Sequence, residues 1–288
     1  MTSNKVLEGI RVLDFGRYIA GPFCASLLAD LGAEVIRIEK VQGSEDRFLS
    51  PISAQGDGAL FMQVGRNKLG MTLNPMKPKG QEIVRKLVAS ADVVIANLPP
   101  DTLRAMGLDY EGLRAVRPDI ILTLIAAFGS GGPYSNRVGF DGLGQAMSGA
   151  MYMSGTPEQP VKSYAPFIDF GTASLSAYGT MAALLERHKT GRGQVLEASL
   201  FNTAPTYTNG IATEPDALMD FRRAGGGENG RAMPVLQVSR SVVADVIKRA
   251  TGLPVATLEA EIDRTLEPKS QVLTGWRLKG EVTIQRQQ

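Results

Sequence analysis

The stretch that decides the fold is residues 9–39, GIRVLDFGRYIAGPFCASLLADLGAEVIRIE. It begins with an apolar run, residues 9–15, of the kind that forms a buried parallel strand. A turn containing Gly21 and Pro22 follows, and residues 23–31 then place apolar side chains at helical spacing up to Gly32. Residues 34–39 predict a second strand. A strand, a helix and a second strand in this order indicate a βαβ unit.

The same alternation continues further along the chain. The predicted helices are residues 80–90, one or two short helices within 103–116, and the long segment 172–188; the predicted strands are 92–96, 119–124 and 194–200. We therefore predict an α/β fold, a Rossmann-like doubly wound parallel sheet formed by residues 1–204.

The last part of the chain, residues 205–288, has a different character. It contains the run Gly225-Gly226-Gly227, two short helical patterns at residues 242–250 and 256–266, and a terminal strand pattern within 276–288. We predict a small, atypical second domain here, or a segment that needs a partner chain.

Composition excludes several classes of protein. The single cysteine, Cys24, excludes an intramolecular disulfide, and the single histidine, His188, leaves no zinc-type ligand cluster and little material for a Ser-His-Asp triad. A net charge of +2 with scattered basic residues argues against nucleic acid as a partner. The longest apolar run, residues 120–128, falls short of the ~20 residues that span a bilayer. We expect a cytoplasmic protein with no metal and no membrane partner.

Two common enzyme motifs are also missing. Gly16 and Gly21 lie too far apart for the tight G-x-G-x-x-G turn, so we expect no NAD, and we expect Glu39 to be a surface acid at a strand end. The segment from Gly129 to Gly132 lacks the G-x-S-x-G spacing of a serine hydrolase.

Asp169 lies in the run SYAPFIDFG, residues 163–171, among apolar neighbours and just before a helical stretch. Two interpretations are compatible with this position. An Asp ahead of a helix starting at Thr172 serves as its N-cap. A carboxylate that is partly desolvated beside a helix N-terminus can also be an activated nucleophile, because the helix dipole favours its charged form.

Seven blocks of sequence carry a resemblance to a known family. They are LEGIRVLD (7–14), AGPFC (20–24), LADLGAEVIRIE (28–39), GRNK (65–68), ADVVIAN (91–97), FGSGGPY (128–134) and TGRGQ (190–194). Together they resemble the class III coenzyme A transferases, the family that includes formyl-CoA transferase and carnitine CoA-transferase. The resemblance covers residues 5–204.

The resemblance implies a mechanism and an assembly. In such enzymes an aspartate attacks the acyl-CoA thioester and forms a mixed anhydride. The released thiolate then gives an aspartyl-CoA thioester, from which a second carboxylic acid takes the CoA. The matching residue here is Asp169. The family also forms homodimers whose two chains interlock.

The resemblance further implies which residues contact coenzyme A, the expected substrate. The matching positions are Arg17, Tyr18, Ile19, Lys40, Leu73, Asn97, Leu98, Arg104 and Arg137. Several of them are basic, as suits a phosphate-bearing ligand, and Arg104 is the preferred phosphate contact.

A sister branch, the α-methylacyl-CoA racemases, is similar to the same sequence but moves a proton with a histidine and an aspartate. The histidine position is Phe140 here, which cannot transfer a proton and so disfavours the racemase. Asp141, which follows it, could orient the acyl group or a water, or it could be a helix N-cap.

The segment after Ala204 departs from the family pattern. Transferases of this kind are longer, and the run Gly225-Gly226-Gly227 is either similar to their loop that shields the anhydride or a plain linker. An alternative to the transferase is therefore a truncated member that binds CoA without catalysis.

Overall fold

In a computed structural model of the chain, the described residues are 5–154, 159–208, 273–278 and 282–286. They form two units, one with residues 5–154 and 159–208 and the other with residues 273–278 and 282–286. The predicted Gly225–Gly227 loop and both short helical patterns, 242–250 and 256–266, lie outside the described residues.

The first unit is built on a six-stranded sheet in which all pairings are parallel. Its strands are β1 (Arg11–Asp14), β2 (Glu34–Glu39), β3 (Lys68–Thr72), β4 (Val93–Ala96), β5 (Ile121–Ala126) and β6 (Gln194–Ser199). Their order is β3-β2-β1-β4-β5-β6. The chain therefore builds the sheet outward from β1 to β3 on one side and then outward from β4 to β6 on the other, and this chain reversal lies between β1 and β4. In such sheets ligands bind in the crevice beyond the carboxyl ends of the strands at this reversal. The predicted α/β fold is confirmed.

Nine helices accompany the strands in the described part of the first unit. They are α1 (Ala20–Asp30), α2 (Ala59–Val64), α3 (Pro78–Ala89), α4 (Pro100–Met106), α5 (Tyr110–Val116), α6 (Asp141–Met147), α7 (Ala150–Met153), α8 (Phe167–Thr190) and α9 (Leu200–Tyr207), with a short 3-10 helix at Glu45–Phe48. Local sequence explains several ends. Pro78 begins α3, and Gly107 and Gly191 end α4 and α8 in the left-handed conformation that glycine adopts without strain.

The core lies on both faces of the sheet. Along β4, Val93 and Ile95 pack in one cluster with α1 and α8, whereas Val94 and Ala96 pack in a second cluster with α3, α4 and α5. Successive side chains of a strand point to opposite faces, so a strand covered on both sides must be apolar throughout. This explains why β4 reads as an unbroken apolar run.

Strand β3 was absent from the sequence prediction. Lys68–Thr72 lies at the edge of the sheet, none of its residues is fully buried, and its sequence, KLGMT, has no apolar run. Its place in the sheet comes from backbone pairing with β2.

Helix α9 continues the first unit past Ala204, with Leu200 and Ala204 buried in the same core cluster as α1 and α8. The organisation of residues 209–272 into a second domain stays a prediction.

In the other unit, β7 (Leu273–Leu278) pairs antiparallel with β8 (Val282–Arg286). The prediction of a single strand within residues 276–288 was wrong, because Trp276 and Ile284 lie opposite each other in two paired strands.

No helix in the described ranges is long and apolar enough to cross a membrane. The same residues contain no group of three acidic, histidine or cysteine side chains that could hold a metal ion.

Candidate active site

A cavity of about 420 Å³ opens at the carboxyl ends of the central strands. Its wall includes the turn after β1, the residues after β4, the last residues of β5, and Glu197 of β6. It therefore lies at the chain reversal between β1 and β4, where doubly wound sheets bind ligands.

The cavity brings together most of the predicted site. Asp169 and Phe140 line it with six of the nine positions matched to coenzyme A contacts, namely Arg17, Tyr18, Ile19, Asn97, Leu98 and Arg137.

The other three matched positions do not line this cavity. Lys40 is exposed and pairs with Glu45 at 2.8 Å, and Glu45 itself lines the cavity. Leu73 is buried in the second core cluster. Arg104, the preferred phosphate contact, is exposed on α4 and pairs with Asp101. Contact of these residues with coenzyme A stays a prediction.

In the turn after β1, three backbone amides donate hydrogen bonds to side chains of the protein. Three successive N–H groups donate to side-chain oxygens: Gly16 to Asp14 at 2.8 Å, Arg17 to Asn97 at 2.7 Å, and Tyr18 to Asp46 at 2.9 Å. In dinucleotide-binding folds this turn instead brings its backbone close to a pyrophosphate. Here these three amides already have partners within the protein, so they are not free to bind a phosphate group.

Arg17 is also partly committed to the protein. Its Nη1 donates to the carbonyl oxygens of Gly16 at 2.7 Å and of Phe15 and Ile38 at 3.2 Å each. Burial of the guanidinium lowers its pKa. Arg137 has a different environment, stacked over the Tyr134 ring at 4.3 Å from its centre. Cation and ring attract each other at such a distance.

Asp169 lies in the first turn of α8, because the helix begins at Phe167, five residues before the predicted start at Thr172. The prediction that Asp169 is the N-cap was therefore wrong: Pro166 holds that position. The Asp169 side chain is nearly buried, with 8% of the residue exposed, and lines the cavity.

The N-terminus of α8 is capped by Asp141 from α6. One carboxylate oxygen of Asp141 accepts from the amides of Ile168 at 2.8 Å and Asp169 at 3.1 Å. The other accepts from the side chain of Gln145 and lies 3.8 Å from Lys162 Nζ. Asp141 is thus a cap, but of a different helix from the one it belongs to, since Phe140 is the N-cap residue of α6. These two hydrogen bonds hold the start of α8 against α6.

Burial raises the pKa of Asp169 to about 7, and the neighbouring charge of Asp141 adds to the rise. Lys162 acts in the opposite direction with a smaller effect. Desolvation is the largest of these effects on the pKa of Asp169. Near neutral pH the carboxyl group is divided between its charged and neutral forms.

Two features of the cavity were missed from the sequence. The ring of Tyr18 meets the ring of Phe140 edge to face, with centroids 5.4 Å apart. Glu197 accepts a hydrogen bond from the Ser130 hydroxyl at 2.6 Å. The members of each pair are distant in sequence, so no local pattern indicates either contact.

The expectation of a surface position for Glu39 was wrong. Glu39 is 2% exposed and pairs with Arg37 at 3.3 Å and with Arg47 at 2.9 Å. The available signal was Arg37, which lies two positions earlier on β2 and so points to the same face.

The sequence of this chain matches a known protein family. Residues 7–242 match the sequence profile of CoA-transferase family III, so the match continues past Ala204, where we expected it to end.

Two curated relatives are named for transfer of CoA from succinyl-CoA. The chain is 40% identical to the succinyl-CoA:glutarate CoA-transferase of Mus musculus over 70% of this chain and 47% of that protein. It is 36% identical to the succinyl-CoA–D-citramalate CoA-transferase of Chloroflexus aurantiacus over 68% and 50%, respectively. The chain spans about half the length of these relatives.

A solved structure, a CAIB/BAIF family protein from Brucella suis, matches with a TM-score of 0.68 and 29% identity over 94% of this chain and 79% of that one.

Proposed function

The chain belongs to CoA-transferase family III, and from this premise we propose that it moves coenzyme A from an acyl-CoA to a carboxylic acid through Asp169. The observation that carries the proposal is a nearly buried carboxyl group with a pKa of about 7 in a cavity at the chain reversal of the sheet. Perturbed acids in clefts are typical of functional sites.

The proposed reaction begins with attack by a carboxylate oxygen of Asp169 on the thioester carbon. The C–S bond breaks, CoA leaves as the thiolate, and an aspartyl anhydride remains. The thiolate then attacks the aspartyl carbonyl and displaces the first acid as its carboxylate. In the reverse steps, the second carboxylate attacks the aspartyl-CoA thioester, and the thiolate finally displaces Asp169 from the new anhydride.

Burial helps this chemistry in one respect and hinders it in another. A desolvated carboxylate close to its target is a better nucleophile than a hydrated one. A carboxyl group with a pKa of about 7 is, however, ionised in only part of the molecules near neutral pH. We propose that the enzyme reacts through this ionised fraction.

The relatives' names suggest the first substrates to test. Both include succinyl-CoA, one with glutarate and one with D-citramalate, so dicarboxylic acids are the first candidates here. Arg17 and Arg137 supply positive charge at the cavity wall for phosphate or carboxylate groups. We further propose a cytoplasmic homodimer, as in the family.

The test is transfer of label from free succinate or glutarate into acyl-CoA, together with trapping by hydroxylamine or borohydride and mass spectrometry. We expect label exchange and modification of the peptide that contains Asp169. Both should be lost in Asp169→Ala and Asp169→Asn. Glu82→Gln, which changes an exposed acid on α3, is the matched control. Exchange that persists in Asp169→Ala contradicts the mechanism.

A second candidate is a protein that binds CoA without catalysis, the alternative that the sequence left open. Calorimetry separates the two. Binding of CoA with no exchange and no trapped Asp169 peptide supports the second candidate, whereas exchange excludes it.

A further inference from the structure

Tyr18 has a backbone conformation that a tyrosine rarely adopts. Its φ angle is 60°, in the left-handed region, which is uncommon outside glycine, asparagine and aspartate. The surrounding structure must therefore hold it there.

The residue that holds it is Asp46, from the 3-10 helix Glu45–Phe48. Asp46 is 1% exposed, and its Oδ2 accepts from the amide of Tyr18 at 2.9 Å and from Arg37 Nη2 at 2.8 Å. Arg37 is itself 2% exposed and also lies 3.3 Å from Glu39. The carboxylate that binds Tyr18 is thus fixed by a buried ion pair and has little freedom to move.

On the other side of the Tyr18 amide, Asn97 binds the backbone of Arg17 twice. Its Oδ1 accepts from the Arg17 amide at 2.7 Å, and its Nδ2 donates to the Arg17 carbonyl at 2.9 Å. The peptide between Arg17 and Tyr18 is therefore held between the end of β4 and the 3-10 helix.

The direction of the Tyr18 side chain follows from this backbone. Its ring meets the Phe140 ring edge to face, at 5.4 Å between centroids and 88° between planes, and both residues line the cavity that contains Asp169. Phe140 directly precedes Asp141, which caps α8 at Asp169. The two rings thus form one wall of the cavity and join the β1 turn to the helix pair that carries Asp169.

We propose that Asp46 is a positioning residue for substrate binding: by holding Tyr18 in a left-handed backbone, it places the Tyr18 ring against Phe140 as a preformed wall for the acyl-CoA. The proposal deepens the proposed function and rests on it for its kinetic part. A preformed wall contacts ground state and transition state alike, so its loss raises KM and changes kcat little.

The kinetic test uses Asp46→Ala, which removes the acceptor for the Tyr18 amide, and Tyr18→Gly in the full chain, with succinyl-CoA as donor. Both variants are expected to raise KM for the donor about tenfold with kcat within about twofold of the wild type. Asp57→Ala is the matched control, since Asp57 pairs with Arg47 at 3.2 Å and has no contact with Tyr18. Unchanged KM in Tyr18→Gly overturns the proposal, even if Asp46→Ala fails to fold.

The double variant tests whether Asp46 affects KM by positioning the Tyr18 ring or by disturbing the cavity in another way. Glycine adopts the left-handed conformation without strain and has no ring to place, so Asp46→Ala should have no further effect on KM in the Tyr18→Gly background. A second rise in KM there contradicts the proposal.

A structural measurement keeps this test independent of the reaction. In protein labelled at tyrosine and phenylalanine, we expect a nuclear Overhauser effect between the Tyr18 and Phe140 rings that is lost in Asp46→Ala and retained in Asp57→Ala. If the wild type transfers no CoA, the proposed function fails while this measurement still decides the positioning. A ring contact that persists in folded Asp46→Ala overturns the inference.

Discussion

The carboxyl group of Asp169 lies where its charged form is poorly solvated, and its pKa of about 7 follows mainly from that burial. An aspartate in the unfolded chain has its ordinary pKa of 3.8. Between these two values the folded protein binds a proton that the unfolded chain has released.

This difference makes stability depend on pH. As the pH rises from about 4 to about 7, ionisation stabilises the unfolded chain more than the folded protein, so the free energy of unfolding falls. The contribution is about 4 kcal/mol by pH 8, because a shift from 3.8 to about 7 is about 3 pKa units and each unit corresponds to about 1.4 kcal/mol.

We therefore predict that Asp169→Asn is more stable than the wild type at pH 8 and that its advantage shrinks towards pH 4. The measurement is urea denaturation of both proteins at several pH values. An equal difference in unfolding free energy at pH 4 and pH 8 would show that the carboxyl group is not raised in pKa. Glu82→Gln again serves as the control, because Glu82 is an exposed acid.

At the scale of elements, α6 and α8 are joined by a cap that one helix supplies to the other. Asp141 begins α6 and accepts from two amides in the first turn of α8. The helices also approach closely: a Cβ on Gly144 would lie 2.9 Å from Ile168 Cγ2. The start of α8, and with it the position of Asp169, therefore depends on α6.

Two substitutions at Asp141 separate its hydrogen bonds from its charge. Asp141→Ala removes both and should destabilise the protein by about 0.5–2 kcal/mol through loss of the cap. Asp141→Asn keeps an acceptor for the Ile168 amide, so it should cost less stability.

Both variants remove a negative charge that raises the pKa of Asp169, so the acidic limb of the rate profile should move to lower pH. The measurements are thermal unfolding and the pH dependence of kcat/KM. A limb that stays at the wild-type pH in Asp141→Asn would show that the charge of Asp141 does not act on Asp169.

At the scale of the whole molecule, stability rests on a sheet that is covered on both faces. Ile95 of β4 is fully buried in the cluster with α1 and α8. Leu69 of β3 is of similar size but is 58% exposed at the edge of the same sheet.

We predict that Ile95→Ala lowers the free energy of unfolding by about 2–5 kcal/mol, because it removes buried methyl groups and leaves a cavity. Leu69→Ala should change it by no more than about 0.5 kcal/mol. Chemical denaturation measures both. Similar losses at the two positions would contradict the two-sided core.

The sequence by itself determined the α/β class, most of the strands and the family. β4 and β5 could be predicted because buried parallel strands need continuous apolar runs, and such runs are visible locally. β1 and β2 contain charged residues, and they could be predicted from their apolar residues and from the helical pattern between them. Asp169 could be singled out for the same reason, since an acid within an apolar segment is conspicuous without any structure.

Only the tertiary structure decided what depends on partners distant in the chain. The edge strand β3 is held by its pairing with β2, and the true start of α8 is set by Asp141, 28 positions before Asp169. The burial of Glu39 depends likewise on Arg47 from the following segment.

The pKa of Asp169 and the contact between the Tyr18 and Phe140 rings also depend on residues that are distant in the chain. Desolvation and hydrogen bonding are set by every atom that surrounds a group, and those atoms come together only when the chain folds.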